Sequence, residues 1–132
     1  MTRAHECRGW RRNGGARVRG QGDDRRYDTS GPRLEAADLG ADLGARATLV
    51  QFSSAFCAPC RATRRVLGEV AGMVAGVAHV EIDAEDRLEL VRALGVLKTP
   101  TVLVLDADGR VVRRAVGQPR KADVIAALGV AV

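Results

Sequence analysis

Apolar residues fall into regular patterns along this chain only after about residue 33. Before that point no period repeats, and Gly9, Gly14, Gly15, Gly20, Gly22 and Gly31 interrupt an arginine-rich stretch. From Leu34 onward the pattern predicts elements. Leu34–Arg46 reads as a short helix broken by Gly40 and Gly44, or as a loop. Thr48–Ser53 is a short apolar run ending at small polar residues, which predicts a buried strand. From Ala58 to about Ala75, apolar Ala62, Val66, Val70 and Met73 alternate with Arg61, Arg64, Arg65 and Glu69, a helical spacing closed by Gly76. Val77–Asp83 places Ala78, Val80 and Ile82 on one side and His79, Glu81 and Asp83 on the other, as a strand does. Glu85–Leu94 predicts an amphipathic helix with Leu88, Leu90, Val91 and Leu94 inward and Gly95 as its stop. Thr101–Leu105 is a continuous apolar strand, Asp106-Ala-Asp-Gly109 a hairpin turn, and Arg110–Val116 the returning strand. Pro119 opens a last helix that runs through Leu128.

The element order is β-α-β-α-β-β-α. Strands alternating with helices imply right-handed parallel crossovers, and the late hairpin implies an antiparallel edge. The expectation is an α/β domain with a mixed central sheet flanked by helices. With 132 residues, one domain is the natural size. Residues 34–132 form that domain. Residues 1–33 are expected to be a disordered Arg/Gly-rich tail, because so few apolar residues cannot offset the entropy of ordering.

Charge sharpens this division. Residues 1–33 hold nine arginines against four acids, so they carry the whole net charge of +5, and residues 34–132 are neutral. The basic character therefore says little about partners of the folded part. No nucleic acid is expected as a partner, although an Arg/Gly-rich tail has the charge to hold RNA or anionic lipid weakly. No run approaches the roughly 18–20 apolar residues of a spanning helix. Arg11-Arg12 lacks the hydrophobic stretch that would follow in an export signal. As written, the chain is expected in the cytoplasm, where a lone Cys-x-x-Cys is more often catalytic than structural.

That motif is Cys57-Ala58-Pro59-Cys60, at a junction of predicted strand and helix. Two thiols two residues apart there are arranged to close and reopen a disulfide. Pro59 suits a first helical turn, where its missing N–H is no loss. Cys57 then lies near the N-cap, beside unpaired backbone N–H groups and the positive end of the helix dipole, which favour thiolate over thiol. A free cysteine has a pKa of about 8.5, and such a site can lower it by a unit or more. Cys60, one turn further in, is the expected resolving thiol. The alternative, half of a zinc site, needs two further ligands. Only Cys7, His5 and His79 remain, the first two in the tail, and no metal is expected. Cys7 is read as an incidental thiol and His79 as a surface or internally satisfied residue.

The segment Val50-Gln-Phe-Ser-Ser-Ala-Phe-Cys-Ala-Pro-Cys-Arg61 resembles the active-site segment of thioredoxin-fold proteins, and Gly95-Val-Leu-Lys-Thr-Pro-Thr-Val-Leu-Val-Leu-Asp106 resembles their second motif. The likeness covers about residues 45–130. It implies a thioredoxin-like three-layer sandwich and a thiol–disulfide oxidoreductase that reduces protein disulfides. Cys57 would be the nucleophile and Cys60 the resolving thiol, with no cofactor beyond their redox-active disulfide. Pro100 would be a cis proline facing Cys57, with the Thr99 backbone pairing with an extended substrate peptide. A disulfide-containing protein substrate, an upstream electron-donor reductase and a monomeric state are implied.

The chain departs from the ordinary thioredoxin pattern at several tuning positions. Gln51 stands where thioredoxins carry a buried aspartate, and Glu81 falls near the position of a lysine paired with it. Glu81 is accordingly read either as a proton acceptor for Cys60, acting through Gln51 or a water, or as a solvent-facing residue. Phe56 replaces a tryptophan, Ala58 a glycine, and Arg65 a helix-kinking proline. The lead-in to the motif also resembles membrane-tethered, TlpA-like reductases, so a membrane-anchored form with a different start is the alternative. A non-catalytic interaction module on the same fold is the rival of another class.

Overall fold

The computed structural model describes residues 10–12 and 32–132. Among the described residues, five strands form one sheet in the order β1-β5-β4-β2-β3: β1 (Trp10–Arg12), β2 (Ala47–Ser53), β3 (Val77–Asp83), β4 (Thr101–Asp106) and β5 (Val111–Val116). β2 and β3 run parallel, while β4 is antiparallel to both β2 and β5. The described residues also form the α-helices α1 (Ala36–Leu39), α2 (Ala58–Met73), α3 (Leu88–Leu94) and α4 (Lys121–Ala131).

β2 and β4 lie inside the sheet and are covered on both faces, which is why their sequences are continuous apolar runs. One face packs Val50, Phe52, Val80, Ile82, Leu103 and Leu105 against Leu39 of α1 and Leu94 of α3. The other packs Leu49, Val102 and Val104 against Leu67 and Val70 of α2 and Val124 and Leu128 of α4. Helices on both faces of a mixed sheet make three layers, as the pattern predicted.

Three local expectations are corrected. First, the buried stripe of α2 is Cys60, Thr63, Leu67 and Val70, and Met73 lies outside it at 59% exposed. Second, the helix expected over residues 85–94 is two pieces. A single 3-10 turn (Ala84–Asp86), capped by the Asp83 side chain, precedes α3, and Leu88 is exposed. Third, β1 falls within the stretch read as disordered. It adds antiparallel to β5, Trp10 opposite Ala115 and Arg12 opposite Arg113. Ladder hydrogen bonds come from the backbone, so a strand can cover a sheet edge without an apolar pattern of its own. The rest of that expectation, with His5 and Cys7, lies outside the described residues.

The hairpin turn closes as its Asp-Gly signature requires. Gly109 donates to the Asp106 carbonyl at 2.9 Å and has φ +88°. Its own carbonyl accepts from Leu34 at 2.8 Å, so the turn also anchors the segment entering α1.

Candidate active site

The parallel strands β2 and β3 finish at the same end of the sheet, and a short loop carries the chain from Ser53 into α2. Cys57 is the N-cap of α2, with extended φ −113° and ψ 103° and a proline in the first turn. Its carbonyl accepts from the N–H groups of Cys60 and Arg61 at 3.1 and 3.3 Å. The two cysteines are joined as a disulfide with Cα atoms 5.2 Å apart. Cys57 is half-buried and Cys60 fully buried, so only the first sulfur's residue has a face toward solvent. Ala58 and Pro59 are exposed beside it.

Phe56 precedes this pair at φ +58°, with 99% of its surface exposed. A bulky residue in the left-handed region is strained, and a bare ring beside the cysteines forgoes burial as well. Leu97, in the loop leading to β4, is 92% exposed. That loop ends in a cis Thr99–Pro100 peptide bond. Pro100 is buried, and its carbonyl accepts from Gly117 at 2.8 Å. The hydroxyls of Ser54 and Thr99 bond at 2.8 Å, tying the loop before Cys57 to the residue before Pro100.

Behind Cys60 lies a polar network on a sheet face that is otherwise apolar. Gln51 is fully buried and directly opposite Glu81 in the β2–β3 register. Its Nε2 donates to the Cys60 carbonyl at 2.8 Å and to Ser53 Oγ at 2.9 Å. Ser53 donates to Glu81 Oε2 at 2.7 Å. Arg64, one turn after Cys60 on α2, grips the same carboxylate with Nε and Nη2 at 2.7 and 2.8 Å. His79 Nε2 lies 3.2 Å from Gln51 Oε1.

The expected role of Glu81 does not survive this geometry. Arg64's hydrogen bonds, helped by Ser53, hold its carboxyl below the ordinary range against the opposing effect of burial. A group stabilised as an anion is a weak proton acceptor. Gln51, moreover, meets the Cys60 carbonyl oxygen and not its sulfur. Glu81 anchors the network instead. His79 is drawn into the same network, and burial pushes its imidazole below its usual pKa, more than Glu81 raises it.

The sequence reading thus placed Cys57, Cys60, Gln51, Glu81, Thr99 and Pro100 in the region where the structure assembles them. It did not join Ser53, Ser54, Arg64 or His79 to the site, although its reading of His79 as an internally satisfied residue holds. Two signals pointed to three of these: Arg64 is four residues after Cys60, hence on the same helical face, and His79 shares strand parity with Glu81, as Ser53 does with Gln51. Among the described residues, no group of three or more His, Cys, Asp or Glu is placed to hold a metal ion, and no helix is long and apolar enough to cross a membrane.

A family model described as thioredoxin matches residues 37–129. The chain is 35% identical over 69 residues to thioredoxin H2-1 of rice (Oryza sativa subsp. japonica), which is 52% of this chain and 49% of the rice protein. The match therefore spans about half the length of that curated relative. Among solved structures, the N21Q mutant thioredoxin from Halobacterium salinarum NRC-1 superposes with a TM-score of 0.62 at 22% identity, over 77% of this chain and 87% of that one. Thioredoxin NaTrxh from Nicotiana alata superposes with a TM-score of 0.57 at 24% identity, over 66% and 74%. At such identities the structural likeness speaks to the fold.

Proposed function

The chain belongs to the thioredoxin family, and from that premise we propose that it is a thiol–disulfide oxidoreductase that reduces protein disulfides. The carrying observation is the Cys57–Cys60 disulfide at the N-terminus of α2, with its first residue half-buried and its second enclosed. In the reduced protein the Cys57 thiolate attacks one sulfur of a substrate disulfide, and the other substrate sulfur leaves as thiolate and takes up a proton. The Cys60 thiolate then attacks the Cys57 sulfur. The second substrate thiolate departs, and Cys57–Cys60 is left oxidised. Two electrons have passed to the substrate, and a reductase must return them. The positive end of the α2 dipole favours the Cys57 anion, while enclosure reserves Cys60 for the internal step.

Substrate docking belongs to Thr99 and Pro100, where an extended peptide can add its backbone, flanked by the exposed side chains of Phe56 and Leu97. Neither a metal nor an organic cofactor takes part in this scheme. It operates in a reducing compartment, and the cytoplasm is the one we assign. Dithiothreitol-driven insulin reduction tests the proposal. The wild-type chain is expected to accelerate insulin precipitation and Cys57→Ser to return it to the uncatalysed rate. Cys60→Ser is expected to trap a mixed disulfide visible on a non-reducing gel. Equal rates for wild type and Cys57→Ser would refute it.

A further inference from the structure

Burying the Gln51 amide is costly unless every donor and acceptor finds a partner. The partners found also fix its orientation. The Cys60 carbonyl oxygen can only accept, so the amide nitrogen must face it. The second N–H goes to Ser53 Oγ, whose own hydrogen is committed to Glu81. Glu81 in turn receives two N–H groups from Arg64. Oε1 is left facing His79, so the His79 Nε2 must carry a hydrogen. The chain of bonds therefore runs from His79 into Gln51 and divides there, one branch ending on the Cys60 carbonyl and the other passing through Ser53 to Glu81, where it meets the donors of Arg64.

We propose that Gln51 is a positioning residue for the step in which Cys60 resolves the mixed disulfide. By holding the Cys60 carbonyl, it fixes the first turn of α2 relative to Cys57. Ser53–Glu81–Arg64 anchors the amide on one side and His79 on the other. The inference rests on the dithiol reading above and deepens it. In the step concerned, the Cys60 thiolate forms a bond to the Cys57 sulfur, the Cys57–substrate bond breaks, and the substrate thiolate leaves with the electron pair. Gln51 exchanges no proton and touches no reacting atom. Its contribution is alignment: the attacking sulfur must approach along the axis of the breaking S–S bond, and misplacement on the scale of an ångström is expensive.

The experiment separates the two thiol steps in a Cys7→Ser background, which removes the third thiol. Reduced protein is mixed with 5,5′-dithiobis(2-nitrobenzoate), and the second equivalent of coloured thiolate, released when Cys60 attacks, is followed by stopped flow. Alkylation of Cys57 by iodoacetamide reports the first thiol alone. Gln51→Leu, close in volume but without hydrogen bonds, is expected to slow the second release about tenfold, the equivalent of about 1.4 kcal/mol. Cys57 alkylation should change less than twofold. Ser53→Ala keeps the amide–carbonyl bond but loses one anchor, and is expected to slow release about threefold. In the wild type, ¹⁵N NMR should find neutral His79 protonated on Nε2, and Gln51→Leu should abolish that preference. If Gln51→Leu does not fold, Gln51→Met replaces it, because a thioether cannot donate to the Cys60 carbonyl and the same tenfold loss is expected. A second release within twofold of wild type, or equal slowing of alkylation and release, overturns the proposal. The reagent is a small molecule, so a wild type inert toward insulin would refute protein-disulfide reduction while leaving this measurement meaningful.

Discussion

Phe56 is held in a conformation and an environment that a phenylalanine should avoid, and replacing it separates stability from function. At φ +58° an L side chain crowds the carbonyl oxygen, at a cost of about 1–2 kcal/mol. Alanine keeps that strain and removes the ring. Glycine removes both but loses about 0.4–1 kcal/mol to the freedom of the unfolded chain. Because the ring is 99% exposed, its removal forfeits no packing in the free protein. Phe56→Ala should therefore unfold within about 0.5 kcal/mol of wild type, with Phe56→Gly about 0.5–1 kcal/mol more stable than Phe56→Ala. Function should move the other way. Full burial of a phenylalanine is worth about 1.5–3 kcal/mol, so covering half the ring with substrate contributes about 1 kcal/mol, or about fivefold in kcat/KM. Insulin reduction should fall about fivefold in both variants, while reaction with a small aromatic disulfide stays within twofold. Urea unfolding followed by circular dichroism gives the stabilities, and initial rates give the activities. Equal losses on insulin and on the small disulfide would refute the reasoning, because the ring would then be acting on the Cys57 sulfur and not on docking.

The packing assignments give further expectations. Leu67→Ala empties a fully buried site between α2, α4 and the sheet and should cost about 2–5 kcal/mol, whereas Met73→Ala on the exposed side of the same helix should cost under about 0.5; similar urea midpoints for the two would overturn the helix's orientation. Gly109→Ala forces a side chain into φ +88° and against the Leu34 carbonyl, and should cost about 1–3 kcal/mol by thermal unfolding; Gly95→Ala, at φ +68° with open space, should lose less, and the reverse order would count against the turn geometry. Glu81 has its folded-state pKa below its unfolded value of 4.5, so its contribution is present above that value and is lost as pH falls through the lower folded pKa. Glu81→Gln should therefore lose less stability than wild type between pH 5 and pH 3 in urea melts, and parallel losses would remove Glu81 from the network.

The element order and the two motifs were legible because each rests on short-range chemistry. Continuous apolar runs mark strands β2 and β4, covered on both faces, and Asp-Gly marks the hairpin. Cys-x-x-Cys with a proline between marks the start of α2. What escaped depended on pairs that only the folded chain defines. Met73 continues the helical spacing of Val66 and Val70, yet the axis of α2 directs Leu67, Thr63 and Cys60 at the sheet. Leu88 fits an amphipathic pattern, but the Asp83 cap spends the preceding residues on a 3-10 turn. β1 left no trace in the apolar pattern because edge pairing uses backbone groups.

The site shows the same division more sharply. Gln51 and Glu81 drew attention as departures from a familiar pattern, and the register sets them directly opposite each other. The missing partner was the arginine. Arg64 read as one cation among several between the apolar positions of the helix, with Arg61 and Arg65 beside it. Its distance of one turn from Cys60 puts it over Glu81, and that contact converts a candidate base into a fixed anion. Chemistry read from one residue at a time gave Glu81 a proton to carry. The pair carries none, and a buried neutral amide next to Cys60 is the more telling feature. An enclosed carboxyl at position 51 would change charge with pH beside the Cys60 carbonyl, whereas an amide holds the backbone there and carries no charge of its own. The resolving step should then follow the titration of the thiols alone between pH 7 and 9, above the range of the lowered His79 imidazole, a profile that stopped-flow release across that range can read.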